Sequence, residues 1–216
     1  MSCRCKLVAV NRGRSKSVPG LKTRSKTLSK QTDGCPMTHY VRQRIKNGLT
    51  YLPYLPDILY PVLDAIGDAF ETYIIGGYVR DIYMNRVPND IDLLVKAWHP
   101  TKILQFLSQF GEVKYIHPGK GFIEWIISGY KIDVSVISET ENVIDNLETR
   151  DITINAMVCR LHKDARYFSV VLNPLFYISD IDAKVIRMMN PHAFSSDPIF
   201  GFRAIRFATT HECKIE

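Results

Sequence analysis

From Leu55 to Phe70 the apolar side chains recur at helical spacing, with Ile58, Leu59, Val62, Leu63 and Ile66 on one stripe, which predicts an opening helix. The period then changes. Tyr73–Ile75 is a short apolar run of strand character, a Gly-Gly turn follows, and Val79–Asn85 returns to helical spacing. Asp90–Lys96 reads as a strand, and Pro100 opens a helix that runs to Phe110 with Ile103, Leu104, Phe106 and Leu107 as its buried stripe. Glu112–Ile116, Phe122–Ile127 and Lys131–Ile137 are predicted strands, joined by glycine-containing turns at His117–Gly121 and Ser128–Tyr130. The expectation is an α+β fold, a mixed sheet with helices on one side.

Two of these strands carry chemistry. Side chains alternate faces along a strand, so Asp90 and Asp92 share one face while Ile91 and Leu93 point to the core. In Lys131-Ile132-Asp133-Val134-Ser135-Val136 the same alternation sends Asp133 to the polar face and Ile132, Val134 and Val136 inward. Two carboxylates on one face make a hard oxygen site suited to magnesium bridging a triphosphate. Gly76 and Gly77, lacking a Cβ, let a phosphate approach the start of a helix, where backbone amides favour anions. A Gly-Gly by itself is usually only a strand-to-helix turn, and a lone Asp-x-Asp is usually a solvated strand end. Their order and spacing, with Arg80 and Asp81 on the first helical turn, point instead to a bound nucleoside triphosphate.

Gly76-Gly77-x-Val79-Arg80-Asp81 followed by Asp90-x-Asp92 resembles the first motif of the class II tRNA nucleotidyltransferase and poly(A) polymerase family. Thr149-Arg150-Asp151-Ile152-Thr153-Ile154-Asn155-Ala156-Met157 is similar to a second motif, Arg-Arg-Asp-x-x-Ile-Asn-Ala-Met, with only the first arginine replaced. Asn173-Pro174 through Asp180-Ile181 to Ile186-Arg187 is similar to a third. Asp197-Pro198 and Phe202-Arg203-Ala204-Ile205-Arg206-Phe207-Ala208 resemble a fourth. The motifs keep the family order over about residues 55–210.

The resemblance implies a polymerase-beta-like nucleotidyltransferase head domain, followed by the start of a helical neck. It implies catalytic and magnesium-ligating roles for Asp90, Asp92 and Asp133, the last standing where the family has a third acid, usually glutamate. It assigns nucleotide binding to Gly76, Gly77, Arg80, Arg150, Asp151, Asn155, Asp197, Arg203 and Arg206. The partners it implies are an RNA, most naturally a tRNA 3′ end, and a nucleoside triphosphate, CTP or ATP. With Mg2+ an RNA 3′-hydroxyl would attack the α-phosphate and release pyrophosphate, a reaction that rests on positioning and charge neutralisation rather than on a nucleophilic side chain.

Three departures qualify this. Where the family's base-reading template is Glu-Asp-x-x-Arg, this chain has Ser196-Asp197-Pro198-Ile199-Phe200. Phe200 offers no hydrogen-bond donors, and losing a bidentate partner weakens base discrimination by roughly 1–3 kcal/mol. A stretch of about ten residues, Ile137–Asn146, replaces a longer flexible loop. Few residues follow Phe207-Ala208, so the expectation is that the neck, body and tail regions are missing, or are supplied by a second chain. Three functions therefore stand side by side: an RNA nucleotidyltransferase of CCA-adding or poly(A) type, a transferase with altered base choice or acceptor, and a catalytically idle RNA-binding remnant.

Composition sharpens the domain picture. A chain of 216 residues with 46% hydrophobic content can bury a sizeable core. Residues 1–50 hold twelve Lys/Arg and one acid, a charge of +11, while residues 51–216 carry −5. The expected division is a basic extension over 1–50, a head domain over 51–160 and the start of the neck over 161–216. Residues 11–34 have little to bury and are expected to be disordered alone. The extension reads equally as an RNA-binding arm, as an organelle transit peptide over residues 1–36, or as translated upstream sequence with Met37 the true start. Cys3, Cys5, Cys35, Cys159 and Cys213 form neither an even disulfide framework nor a zinc spacing, which suggests a reducing compartment and a cytoplasmic location. No stretch approaches the ~20 apolar residues of a membrane span. His99, His117 and His192 each sit beside a proline and read as turn residues, and no Ser-His-Asp or Cys-His constellation is apparent.

Overall fold

The computed structural model describes residues 49–50, 55–117, 121–161, 169–172, 177–190 and 198–216. Eight strands form one mixed sheet in the order β1-β8-β7-β2-β3-β6-β5-β4. They are β1 (Leu49–Thr50), β2 (Thr72–Ile75), β3 (Ile91–Lys96), β4 (Glu112–His117), β5 (Phe122–Ile127), β6 (Tyr130–Ile137), β7 (Val158–Arg160) and β8 (Ser169–Leu172). Within this sheet, among the described residues, only β3 and β6 pair in parallel; the other neighbours are antiparallel. The parallel pair needs a long crossover, and α3 (Pro100–Leu107) with the β4–β5 hairpin supplies it.

The predicted stripes are the buried ones. Helix α1 (Tyr60–Ala69) buries Val62, Leu63 and Ile66, and α3 buries Ile103 and Leu107. With α2 (Gly77–Tyr83) these helices cover one face of the sheet, on Ile74, Leu93, Val95, Trp125, Ile132 and Val134. On the other face a smaller cluster joins Tyr73, Ile75, Leu94 and Ile137 to Val143 and Leu147 of α4 (Val143–Glu148). Helix α4 overlaps the end of the short Ile137–Asn146 stretch, and the Asn142 side chain caps it by accepting from Ile144 N at 3.0 Å. The polar residues of β3 and β6 lie on this second, more open face.

Differences at element ends are small. The helix expected over 79–85 begins at Gly77 and ends at Tyr83, and β3 starts at Ile91, so Asp90 immediately precedes the strand. Helix α5 (Ile178–Asp182), strands β9 (Val185–Ile186) and β10 (Lys214–Ile215), and the longer α6 (Ile199–His211) complete the described chain. Ala204 of α6 reaches the main core, and β9 pairs with β10 in parallel. No helix among the described residues is long and apolar enough to cross a membrane.

Candidate active site

The register of the parallel pair sets the centre of the site. Asp92 of β3 and Asp133 of β6 are register partners, on strands about 4.8 Å apart, and both lie on the open face. Asp90 is exposed one residue before β3 and shares a cavity wall with Asp92. Burial pushes the Asp92 carboxyl above the usual carboxylate range; Arg150 opposes the shift, and Asp133 and Asp90 add to it. Asp133 is half exposed, and Lys131 Nζ sits 3.3 Å from its Oδ1 and 3.1 Å from Glu124 Oε2.

The glycines have separate reasons. Gly76 has φ 74° and ψ −137°, a conformation open essentially to glycine alone, and a Cβ there would come 3.0 Å from Asp92 Oδ2 and 3.7 Å from an Arg150 terminal nitrogen. At Gly77 a Cβ would come 2.8 Å from Arg80 Nη2, because that guanidinium folds back over the helix start.

Arg80 is buried and largely committed. Its Nε donates to Asp81 Oδ1 at 2.9 Å, its Nη1 donates to Asn155 Oδ1, and its guanidinium lies 5.1 Å from the Phe207 ring centroid. Asn155 Nδ2 in turn donates to Asp151 Oδ1 at 3.3 Å, and Arg203 Nε stands 3.0 Å from Asp151 Oδ2. The network ties α2, the turn Thr153–Asn155 and α6 together. Arg80 and Asn155, assigned to the nucleotide by motif, line the cavity and also brace it.

Arg150 is different. It is half-buried with its Nε fully enclosed, burial lowers its pKa against the pull of Asp92 and Asp151, and that Nε finds no hydrogen-bond partner among the described residues. An unpartnered donor on a buried cation is costly unless an anion completes it.

These groups surround a cavity of about 460 Å³ lined by Gly76, Gly77, Asp90, Asp92, Asp151, Asn155 and five arginines: Arg80, Arg86, Arg150, Arg203 and Arg206. Every candidate site residue named from sequence lies here, apart from Asp133 in an adjoining cavity and Asp197 outside the described residues. Among the lining residues that sequence did not single out, Arg86 and His211 form a pair of their own. Arg86 Nη1 lies 2.7 Å from His211 Nδ1, and His211 stacks on Phe207 with centroids 5.8 Å apart. Burial, with Arg80 and Arg86 adding to it, pushes the His211 imidazole down to about 4, so it is neutral and Nδ1 accepts from Arg86. The available signal was helical spacing: Arg203, Phe207, Thr210 and His211 fall on one face of α6. Asp180 and Arg187, matched to the third motif, lie 3.5 Å apart, and Asp180 accepts from Thr153 Oγ1 at 2.6 Å. They hold the turn that presents Asn155.

Among the described residues no three carboxylate, imidazole or thiol groups already converge into a cage for a cation. The donor set still fits a hard divalent ion that keeps water and takes phosphate oxygens, because such an ion needs only one or two protein carboxylates. Asp92 and Asp133 supply that pair.

A mixed sheet with paired carboxylates on its open face, beside an arginine-lined cavity at a glycine turn, defines a nucleotidyltransferase-type head domain. The poly A polymerase head domain family matches residues 72–187. The chain belongs to that family, which includes the class II tRNA nucleotidyltransferases. It is 30% identical over 167 residues to a CC-adding tRNA nucleotidyltransferase of Halalkalibacterium halodurans, covering 76% of this chain and 39% of that protein. With a CCA-adding enzyme of Pediococcus pentosaceus the identity is 30% over 170 residues, covering 72% and 41%. A solved Thermotoga maritima CCA-adding enzyme, complexed with tRNA, shares the fold with a TM-score of 0.65 at 22% identity, over 78% of this chain and 43% of that one. The chain thus spans about two-fifths of the length of these relatives.

Proposed function

We propose that this chain forms the catalytic part of a metal-dependent RNA nucleotidyltransferase, adding nucleotides from a triphosphate to an RNA 3′ end. The observation that carries this reading is the Asp92–Asp133 register pair facing the five-arginine cavity. Residues 51–160 hold the carboxylates; residues 161–216, although Ser169–Leu172 returns to the sheet, begin the neck. The relatives' names support a tRNA 3′ end as acceptor and CTP or ATP as donors.

In this reading Asp92 and Asp133, with Asp90 beside them, hold Mg2+, which when bound polarises the α-phosphate and the attacking oxygen and offsets charge on the leaving group. Arg150 is the principal phosphate ligand because its buried Nε is open. Arg203 and Arg206, about half exposed or more on α6, reach the same cavity and neutralise the leaving pyrophosphate. Gly76 keeps the approach to Asp92 free of side-chain atoms. Arg80 and Asn155 position Asp151 and the turn beneath it. The new O3′–P bond forms as the bond from the α-phosphorus to pyrophosphate breaks, and the hydroxyl proton passes to solvent.

A second reading, altered base choice, is favoured by Phe200, which is half-buried and lines the adjoining cavity without a donor for a base edge. Any partner chain supplying further helical regions belongs to the same proposal. So does a cytoplasmic location, or an organellar one if residues 1–36 act as a transit peptide.

The test is incubation with tRNA lacking its CCA end, Mg2+ and each labelled nucleoside triphosphate in turn, with Asp92→Ala as control. Addition of C then A supports the CCA-type reading, and single-base or relaxed addition the second. No addition to any RNA together with no triphosphate binding would sink both.

A further inference from the structure

We propose that the second cavity, on the open face of β4–β6, seats the unpaired terminal base of the acceptor RNA, with Phe122 and His117 as its stacking platform. This rests on the transferase reading above. The cavity encloses about 620 Å³ and meets the arginine-lined cavity at Asp92, Arg150, Asp151 and Arg203. Asp133 belongs to this second cavity alone. The carboxylate pair therefore stands at the boundary between the two.

In-line displacement requires the attacking oxygen and the leaving group on opposite sides of the phosphorus. All five arginines line the first cavity while only Arg150 and Arg203 also reach the second, so the leaving pyrophosphate belongs on the first side. The hydroxyl must then arrive from the second, and the nucleotide that carries it occupies the second cavity.

What lines that cavity suits a base. Phe122 is 44% exposed and Ile116 50% exposed, whereas Ile123 and Trp125 on the opposite face of β5 are buried. The β4–β5 register slips between Tyr115 and His117, a bulge that sets His117 opposite Phe122 on the open face. Bulges beside active sites commonly re-aim a side chain in this way. The two rings then meet edge to face, with centroids 6.4 Å apart. Phe200 lines the same cavity. Unpaired bases are bound by stacking on such exposed rings, tolerant of base identity, which suits an acceptor end whose last base changes after each addition.

The probe is a short single-stranded RNA ending in 2-aminopurine, whose fluorescence falls on stacking, titrated into the full chain without triphosphate. Wild type should quench it. Phe122→Ala should abolish the quench and weaken binding on the order of 10-fold, raising KM for RNA while leaving the affinity for triphosphate unchanged. Phe122→Tyr should restore both, and His117→Ala should give a smaller loss. A chain that adds nucleotides yet binds this RNA equally well as Phe122→Ala overturns the platform alone. A loss of triphosphate affinity in Phe122→Ala, with RNA binding intact, also overturns it, since the donor base would then occupy the cavity. Quenching through Phe122 with no transfer to any RNA supports the platform and overturns the transferase reading.

Discussion

Replacing Gly76 with alanine tests the link between backbone geometry and the site most directly. The residue sits at φ 74° and ψ −137°, where a Cβ is strained whatever space surrounds it. Such positions cost about 1–3 kcal/mol for a non-glycine residue, more than the gain from restricting the unfolded chain. Against a domain stability of about 5–15 kcal/mol the variant still folds. Its melting temperature should fall by about 2–12 °C. The new methyl would also stand 3.0 Å from Asp92 Oδ2, so that carboxylate must give by a few tenths of an ångström, whereas 3.7 Å to Arg150 is ordinary contact. Displacing the carboxylate that Arg150 faces should weaken triphosphate binding by on the order of 10-fold. Gly129→Ala separates the two effects: that glycine, in the β5–β6 turn, has φ 84° with nothing within 4 Å of an added methyl, so it carries strain without contact. Calorimetric melting and titration with a nucleoside triphosphate, run on both variants, give the comparison. If Gly76→Ala binds triphosphate as wild type does, or if Gly129→Ala loses affinity equally, the close approach of Gly76 to Asp92 and Arg150 does not govern the site.

Two further substitutions probe the supporting network. Asn155→Ala removes the acceptor of Arg80 Nη1 and the donor to Asp151 Oδ1, both buried, and should cost roughly 2–3 kcal/mol in urea denaturation; unchanged stability with lost triphosphate binding would make Asn155 a ligand and no brace. His211 is held neutral down to about pH 4, while in the unfolded chain it takes a proton below 6.5. The unfolded state therefore binds more protons between these values, so this contribution to stability is full above 6.5 and is lost as pH falls, by up to about 3 kcal/mol. His211→Gln should flatten that part of the stability profile, and equal denaturation midpoint shifts in both proteins between pH 7 and pH 4.5 would contradict the burial argument.

The parts of the fold legible in sequence are those whose pattern is local. Phe122–Ile127 matched its predicted strand, and the alternation of β6 put Asp133 on the open face because a strand's period leaves no other choice once Ile132, Val134 and Val136 are buried. Three-residue β7 is too short to show alternation, and all but Arg160 of it is buried. Helix α4 had only its Asn142 cap to announce it. The site was legible as composition and order of motifs, but the division of labour within it was not. Arg80 and Arg150 occupy equivalent places in a motif reading; only the folded chain shows Arg80 spent on Asp81 and Asn155 while Arg150 Nε stays open. The Arg80–Asn155 contact joins residues 75 apart in sequence, which no local period encodes.

Charge explains why these motifs carry both signs. The body of the chain is acidic at −5, and it gathers carboxylates beside a cavity lined by five arginines. Four of these carboxylates face a cation: Arg80 Nη2 is 2.8 Å from Asp81, Arg203 Nε is 3.0 Å from Asp151, Lys131 is 3.3 Å from Asp133, and Arg150 offsets Asp92. Without this pairing, desolvation and mutual repulsion would drive protons onto the carboxylates near the core, as the raised Asp92 and Asp81 already indicate. The pairs differ in what holds them. Arg80–Asp81 is buried and hydrogen-bonded, so breaking it leaves an uncompensated charge, which is costly. Lys131–Asp133 is more than half exposed on both sides and worth little, so Asp133 is readily released. Of the carboxylates proposed to hold the metal, Asp133 is therefore the loosely held one, while the tightly held Asp81 maintains the frame around it.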